Sequence, residues 1–229
     1  MQTLHLTNQP LRPYSSTLKI AAIGVILCTV YLSNWLESWT QAVSLILFIL
    51  LLLLCSYLLI KNSTVAYTLT ATHFQQHLAK GGWSIKWNNI SKIGVVHDDS
   101  HGWQQPLPWV GIKLKDYTPY LQSVCPRLIP EILMDQRALL YLGAQRQRSN
   151  ASDQTLKLKP FEDMVLDSTP YQDQHGHTFS GLQAMIANRM RYQRHYHDYD
   201  LFIAAADLER GIEEFVGLAR RYLAAAEPD

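Results

Sequence analysis

Residues 39–60 read WTQAVSLILFILLLLLCSYLLI, an apolar run that contains no charged side chain. About 20 consecutive apolar residues in a helix are enough to cross the hydrocarbon core of a bilayer, and this run reaches that length. The run therefore predicts a membrane-spanning helix at about residues 40–60. It also divides the chain into an apolar N-terminal part and a polar remainder.

A second apolar run lies just upstream of the first. Basic Arg12 and Lys19 precede it, but no small-x-small cleavage pattern follows it, so it does not read as a cleaved signal peptide. We expect a helical hairpin over residues 18–61, with transmembrane helices at about 18–36 and 40–60. Neither run has an ionisable residue in its middle, which favours anchors over a transport pathway.

The charges around the two predicted helices indicate their orientation. The link between them holds Glu37 and no Lys or Arg, whereas two basic residues precede the first helix and Lys61 follows the second. Positive residues favour the cytoplasmic side, so both termini of this multi-pass protein are expected there. Trp35 and Trp39 are expected to anchor the link at the membrane–water interface.

The polar remainder has the composition of one soluble domain. The 229-residue chain carries 20 Lys and Arg against 19 Asp and Glu, a near-neutral balance that argues against a nucleic-acid-binding protein. Only Cys125 lies outside the apolar runs, so neither a disulfide framework nor a cysteine zinc site is expected. We predict a cytoplasmic N-terminal segment, residues 1–17, and a cytoplasmic domain, residues 62–229.

Alternating apolar residues predict an antiparallel sheet directly after the membrane. Strands are predicted at about residues 65–72, 74–78, 83–87, 93–96 and 109–115. Gly81–Gly82 is typical of a tight turn between two of them. Trp83 and Trp87 fall on one face of a strand and are expected in the core, whereas Trp103 lies in a Gly/Pro-rich loop at 98–108 and is expected to be exposed.

Helical patterns dominate the second half of the chain. A helix over about residues 130–142 is expected to stop at Gly143, and a polar loop is expected at 145–153. Ser180, followed three residues later by a Gln, has capping-box spacing and predicts a helix over residues 181–196.

The last predicted helix has the clearest pattern. A strand at 199–204 precedes it, Asp207 is a candidate N-cap, and its apolar residues form one stripe. The stripe contains Ile212, Phe215, Val216, Ala219, Tyr222 and Leu223. Because such a stripe needs a cover, this helix is predicted to close the apolar face of the sheet.

Several segments resemble a known family. Residues 67–70, then 82–90 and Ile93, look like bacterial PH-like domains, in which a strand ends in a Trp and a short polar turn leads to the next strand. Together with the two N-terminal helices, this arrangement is similar to an uncharacterised gammaproteobacterial family catalogued as a domain of unknown function. Residues 200–203 and 207–210 are similar to the tail of that family.

The resemblance and the patterns together predict an α+β fold. A transmembrane hairpin is followed by a PH-like antiparallel sheet, or partly open barrel, with added helices and a closing C-terminal helix. An irregular helical insertion is expected at about residues 116–178. Likeness of fold does not imply a function, and in particular it does not imply phosphoinositide binding.

Two histidine pairs are candidate metal ligands. His175 and His177 form one pair, His195 and His197 form the other, and carboxylates lie near both. Imidazole with carboxylate suits zinc or a similar ion, but i, i+2 pairs are also typical of solvent-facing loops. No spaced signature such as HExxH supports a metal site, so we assign no metal and no cofactor.

Basic residues near the end of one predicted helix are candidates for contact with lipid. Arg189, Arg191 and Arg194 could meet anionic headgroups, each adding about 1 kcal/mol at a membrane surface. The alternative is an ordinary solvated helix face, which positive charge near a helix C-terminus favours. A second basic cluster has the same two interpretations and favours a mobile polar loop; it contains Arg137, Arg146, Arg148, Lys157 and Lys159.

No nucleophile elbow, phosphate loop or kinase motif occurs in the sequence. The expected function is a non-enzymatic binding or scaffold module, held at the cytoplasmic face of the membrane. Its expected partners are the bilayer and a second protein or a second copy of itself, with anionic headgroups as a secondary ligand. The alternative is a membrane-bound metal-dependent or hydrolytic enzyme that uses the His175/His177 and His195/His197 region.

Overall fold

Two antiparallel sheets and a series of helices make up an α+β fold. The computed structural model describes residues 2–8, 20, 23–25, 29, 31, 38–62, 64–98, 104–150 and 160–226. The mixed α+β class with antiparallel sheets therefore agrees with the sequence prediction at this level.

The first sheet has four strands in sequential order. They are β1 (Leu4–Asn8), β2 (Val65–Leu69), β3 (His73–Leu78) and β4 (Gly81–Lys86). In the β1–β2 ladder Asn8 lies opposite Val65, and Leu4 lies opposite Leu69. Strands on either side of residues 9–64 are thus direct neighbours.

The second sheet has three strands in the order β5-β6-β9. They are β5 (Ile90–Asp98), β6 (Gln105–Leu114) and β9 (Leu201–Ala204), and a short hairpin contains β7 (Tyr171–Gln172) and β8 (Thr178–Phe179). A 3-10 turn, Trp87–Asn89, leads from the first sheet into the second. Among the described residues the two sheets stay separate and do not join into a closed barrel.

Seven helices have described bounds. They are α1 (Trp39–Asn62), α2 (Thr118–Ser123), α3 (Ile129–Asp135), α4 (Arg137–Asn150), α5 (Phe161–Val165), α6 (Gly181–His197) and α7 (Ile212–Ala224). Helices α2 to α6, with the β7–β8 hairpin, lie in sequence between β6 and β9, so the second sheet is interrupted by a long helical segment.

Helix α1 is long and apolar enough to cross a membrane. Its residues Trp39–Leu59 have a mean hydropathy of 2.9, and none of the most apolar stretch is buried against the rest of the chain. Within the described residues it is the one helix with these properties. The predicted first span and Trp35 lie largely or wholly outside the described residues, whereas Trp39 begins α1 and is 84% exposed.

An aromatic cluster forms the centre of the core. Phe74 stacks on Trp87 with ring centroids 5.3 Å apart, and Trp83 meets Phe74 edge-on at 5.3 Å. The Trp87 Nε1–H donates to the carbonyl of Thr70 at 2.9 Å, so the one polar atom of this ring is satisfied. Both Trp83 and Trp87 are buried, which confirms their predicted place in the core.

Helix α7 covers this cluster with its apolar stripe. Phe215 lies edge-on to Tyr67 at 5.7 Å, and Tyr222 stacks on Trp87 at 5.7 Å. The buried residues of the helix are Phe215, Val216, Ala219 and Tyr222. The predicted closing helix is therefore present, and its stripe packs on the sheet as its spacing indicates.

Strand β1 is an element that the sequence did not predict. Its five residues fall within the segment expected to be a cytoplasmic N-terminus, and only Leu6 is fully buried. Five residues are too short a pattern to predict a strand by themselves. The strand that pairs with them, β2, lies beyond the whole apolar region, so the local sequence gives no sign of the pairing.

The glycine pair at the next turn has a different role from the one expected. The turn itself is Ala79–Lys80, and Gly81 and Gly82 begin β4. A Cβ at Gly82 would lie 2.2 Å from the Gln76 carbonyl oxygen, so the residue is needed for close approach of the two strands. Trp87 follows in the 3-10 turn and not in the strand predicted to contain it.

The helix predicted over residues 130–142 is two helices. Gln136 separates α3 from α4, and its side-chain amide donates to the Phe202 carbonyl at 3.3 Å. Helix α4 then continues through Gly143, where the ring of Tyr196 lies so close that a Cβ would be 2.5 Å from its Cγ. Gly143 thus serves helix packing and does not end the helix, so the loop expected from residue 145 is helical as far as Asn150.

Two predicted helix caps are also wrong. Ser180 makes no side-chain cap, and the Gln183 amide instead donates to the Leu121 carbonyl at 3.0 Å. Asp207 lies in a separate 3-10 turn, and α7 begins five residues later, after Gly211. The Gln183 side chain is bonded to a distant carbonyl and so cannot complete a capping box with Ser180. Asp207 is separated from the helix by extended backbone.

Candidate functional site

An open cleft of about 660 Å³ lies where β4 ends and α2 begins. Its polar lining includes His73, Lys86, Asn88, Asn89, Asp116 and Gln122. His73 of β3 is paired with Lys86 of β4. The neighbouring residue Phe74 is paired with Leu69, the last residue of β2. Since β2 starts next to α1 and rises about 13 Å to Leu69, the cleft is at the end of the sheet away from α1.

The cleft exists because α2 covers only part of the free edge of β4. The Cys125 N–H donates to the Gly82 carbonyl at 3.1 Å, and the Ser84 N–H donates to Ser123 Oγ at 3.4 Å. Backbone groups of successive residues in β4 point alternately towards β3 and towards the free edge, so the Lys86 backbone N–H points to the free edge, as that of Ser84 does. Neither of the two contacts covers it. Lys86 is exposed, and its ammonium has no ion-pair partner among the described residues.

Asp116 forms one wall of the cleft. Asn89 donates its amide to the Asp116 carbonyl at 2.8 Å, and the Asp116 N–H donates back to Asn89 Oδ1 at 2.9 Å. One carboxylate oxygen accepts the Thr118 N–H at 3.0 Å, and the other lies 3.8 Å from His175 Nε2. The wall is therefore joined to the 3-10 turn on one side and to the β7–β8 hairpin on the other.

Asp173 holds that hairpin against the start of α2. Its carboxylate accepts the Thr118 hydroxyl at 2.8 Å, the backbone N–H groups of His175 and His177 at 2.9 and 2.7 Å, and lies 2.8 Å from His177 Nδ1. Burial raises the pKa of Asp173, but the hydrogen bonds from His177 and Thr118 outweigh burial and hold that pKa well below the usual carboxyl range. The carboxylate is thus ionised and fully used in fixing the loop.

A second buried carboxylate, Asp200, ties α6 to the second sheet. It accepts the Leu114 N–H at 2.7 Å, the Tyr117 hydroxyl at 2.6 Å and two Arg194 N–H groups at 2.6 and 2.5 Å. Burial, followed by the Asp200 carboxylate, raises the pKa of Tyr117, and hydrogen bonding to Asp200 raises the pKa of Arg194. The guanidinium also lies over the Tyr117 ring, 4.8 Å from its centroid.

The three arginines proposed for lipid contact do not share one surface. Arg189 is 1% exposed and donates to the carbonyls of Leu133 and Val165 at 3.1 and 2.7 Å. Burial, together with nearby Arg137, lowers the pKa of Arg189 to about 10, which leaves it charged at pH 7. Arg194 is engaged by Asp200, and only Arg191 is exposed, so Arg189 is corrected to a core residue.

The C-terminal carbonyls of two short helices explain this position. Leu133 is in α3 and Val165 is in α5, and carbonyls at helix ends lack partners within their own helix. A guanidinium can satisfy both at once, and the negative end of each helix dipole favours its charge.

The two histidine pairs have different surroundings. His175 and His177 are at the tip of the β7–β8 hairpin, where both meet carboxylates. His195 is exposed on α6, whereas His197 Nε2 lies 3.0 Å from the Leu139 carbonyl, and burial lowers the pKa of His197. In the part of the chain that the structure describes, no group of three or more His, Cys, Asp or Glu could hold a metal ion.

The described residues of the second basic cluster lie in helix α4 and not in a mobile loop. Arg137 lies 3.5 Å from Glu162 and over the Phe161 ring, so it joins α4 to α5. Lys157 and Lys159 lie outside the described residues, as does Trp103 in the earlier predicted loop.

The cleft offers a ligand an ammonium group, a carboxylate and a partly uncovered strand edge. The Ser123 hydroxyl donates to the Tyr120 carbonyl at 3.1 Å, so its proton does not face a histidine base. Sequence patterns did not indicate this cleft, because its residues come from a strand edge, a turn and a helix that are distant in sequence. The weak signal was the short polar turn within residues 82–90, which contains Asn88 and Asn89.

The fold and cleft define an α+β protein in which a helix-closed pair of antiparallel sheets follows a long apolar helix. The chain belongs to the family described as "Protein of unknown function (DUF2982)", which matches residues 67–225. An uncharacterised family was the expectation from the sequence, and that part of it is confirmed. No curated protein and no solved structure matches the chain.

Replacing Asp200 with Asn should destabilise the domain by about 3 kcal/mol, because it removes the negative charge that pairs with Arg194 and turns an amide NH2 group towards donors that the second carboxylate oxygen accepts. Urea unfolding of the full-length protein in detergent, followed by tryptophan fluorescence, measures this. The matched control is Asp198→Asn: that carboxylate is 54% exposed and pairs with Lys92 and Lys113, so the loss should stay below about 1 kcal/mol. Equal losses for the two variants would contradict the assigned role of Asp200.

The lowered pKa of Asp173 gives the stability of the domain a pH dependence. A depressed carboxyl pKa stabilises the fold above the unfolded value of about 4, and this stabilisation disappears as the pH falls below that value. The urea midpoint of the wild type should therefore fall more steeply between about pH 5 and 2 than that of Asp173→Asn. Asp163→Asn, at an exposed position, should retain the wild-type slope; parallel curves for wild type and Asp173→Asn would refute the prediction.

Proposed function

We propose that this DUF2982 chain is a membrane-anchored, non-enzymatic binding module. A two-span anchor presents a PH-like domain at the cytoplasmic face of a bacterial inner membrane, where the domain binds a protein partner through the cleft at its far end. The observation that carries the proposal is the pairing of β1 with β2, on either side of the apolar region.

That pairing supports two membrane crossings. Helix α1 has 24 residues and is about 36 Å long, and it ends two residues before β2. Its first residue, Trp39, is therefore a membrane thickness away from the sheet, while Asn8 lies in the sheet opposite Val65. Residues 9–38 must cover that distance in the other direction. If α1 crosses the bilayer, residues 9–38 cross it as well, and the apolar run at 18–36 is their means of doing so.

The strand arrangement supports a PH-like plan. Four strands in one sheet, three in the other and a closing C-terminal helix match that plan, with two insertions. The membrane segment is inserted between β1 and β2, and helices α2 to α6, with the β7–β8 hairpin, are inserted between β6 and β9. Both insertions leave the core of Phe74, Trp87 and Phe215 intact.

The position of the cleft favours a protein partner over the bilayer. The strand end next to α1 faces the membrane in this arrangement, so the cleft opens away from it. An exposed Lys86 and an uncovered strand edge suit an extended acidic segment of another protein, because backbone pairing and charge attraction then act together. Anionic headgroups remain a secondary ligand, with Arg191 as the arginine of α6 that is free to reach them.

The orientation is testable with reporter fusions to the full-length chain. Green fluorescent protein at either terminus should fluoresce, and alkaline phosphatase inserted after Glu37 should be active, because the link is expected outside and both termini inside. Alkaline phosphatase at the C-terminus is the inverse control and should be inactive. Termini on opposite sides of the membrane would rule out the two-span anchor.

The binding role is testable by crosslinking the full-length protein in its native membrane, then purifying it in mild detergent for mass spectrometry. A stoichiometric partner protein should co-purify, and Lys86→Glu should reduce its recovery at least several-fold. Arg127→Glu, an exposed charge reversal on the turn before α3, should not. Recovery of the protein alone would contradict a protein partner. Co-purification of a differently tagged second copy would show self-association in place of a different partner. Equal partner recovery with Lys86→Glu would show that the cleft is not the binding site.

A further inference from the structure

Three polar side chains lie along the inner face of α6. Arg189, Gln193 and His197 follow one another at intervals of four residues, which places them on one side of the helix over a length of about 12 Å. Gln193 is 0% exposed and Arg189 is 1% exposed. They face the insertion, since Arg189 bonds to α3 and α5 and His197 lies against α4.

Each of these side chains has buried polar atoms that the protein does not satisfy. Arg189 Nε, both side-chain polar atoms of Gln193, and His197 Nδ1 have no hydrogen-bond partner among the described residues. The other polar atoms of Arg189 and His197 are bonded to the Leu133, Val165 and Leu139 carbonyls. Buried polar groups are nearly always paired, so four such atoms on one helix face point to a ligand.

The chemistry of the four atoms identifies the ligand class. Arg189 Nε–H and the Gln193 amide nitrogen are donors, and Gln193 Oε1 is an acceptor. Because the Leu139 carbonyl can only accept, the proton of the neutral His197 ring is on Nε2, and Nδ1 is a second acceptor. An anion would satisfy only the donors and a cation only the acceptors, whereas water satisfies both.

We propose that the inner face of α6 binds at least two ordered water molecules. One lies between Arg189 and Gln193, and the other lies between Gln193 and His197. Each interval of four residues rises about 6 Å along the helix, and one water with two hydrogen bonds of about 2.8 Å joins polar atoms about 4.5 Å apart, so each pair of side chains must incline towards the water that it shares. The Gln193 amide is central, because it can meet one water with its nitrogen and the other with its oxygen.

The waters give α6 its attachment to the insertion. Without them the polar stripe would contact α3, α4 and α5 through the three carbonyl bonds alone. With them, a continuous hydrogen-bonded line runs from the ends of α3 and α5, at Arg189, to the Leu139 carbonyl of α4, at His197. The site is a structural hydration site, distinct from the open cleft at β4.

The first test replaces Gln193 with Met in the full-length protein in detergent. Met has a similar shape but cannot hold either water, so the melting temperature should fall by about 4 °C or more. Arg191→Met, the same replacement at an exposed position of α6, should change it by less than about 1 °C. An unchanged or higher melting temperature for Gln193→Met would overturn the proposal, because removing an unsatisfied polar group is neutral or stabilising.

The second test does not depend on any variant. A crystal structure of the wild-type chain, grown in a lipidic mesophase and good enough to show ordered water, should have density within about 3.2 Å of both Gln193 polar atoms. Density surrounded only by donors, as for chloride, would overturn the proposal. So would a Gln193 side chain bonded directly to protein groups.

Discussion

The structure depends first on the backbone ladder between β1 and β2. Asn8 lies opposite Val65, so the long apolar region between them begins and ends at one edge of the first sheet. Just before the same strand, the Gln2 carbonyl accepts the Tyr222 hydroxyl at 2.7 Å. At the end that pairs with Val65, Asn8 also donates its amide to the Ala206 carbonyl. The strand and the residues just before it thus join the apolar region, the first sheet, the closing helix and the turn after β9.

The second constraint is electrostatic, and it holds the helical insertion on the sheets. Asp173 fixes the β7–β8 hairpin to α2, Asp200 fixes the end of α6 to β6, and Arg189 fixes the middle of α6 to the ends of α3 and α5. Each charge is buried and surrounded by groups of opposite polarity, so each fixes one geometry. An insertion with a small apolar core of its own obtains from these contacts a precision that burial alone would not give.

The sequence predicted those features that depend on residues close together in the chain. The stripe of α7 is a regular repeat of large apolar residues, and both its existence and its buried face followed from that repeat. The break at Gln136 had no such signal, because Gln is a good helix former and the break is tied to its bond with Phe202, which is distant in sequence. Charged side chains on a helix are expected outside, so the inward position of Arg189 depends on two carbonyls that only the folded chain brings together. The cleft was missed for the same reason. The hairpin histidines and the carboxylates near them, Asp173 included, were noted as possible metal ligands, but the role of Asp173 as the anchor of the hairpin follows only from the folded chain.

The ladder across the apolar region also sets the order in which the domain can form. During synthesis β1 leaves the ribosome before the strand it pairs with, and β2 appears only after all of residues 9–64 have been made. Helix α7 is made after every strand that it covers, so Phe74 and Trp87 stay uncovered until Ile212–Ala224 has been made. Contacts between residues so far apart in sequence form slowly. Until the closing helix has been made, a growing chain therefore exposes an unpaired strand edge and an aromatic surface, and surfaces of this kind favour aggregation.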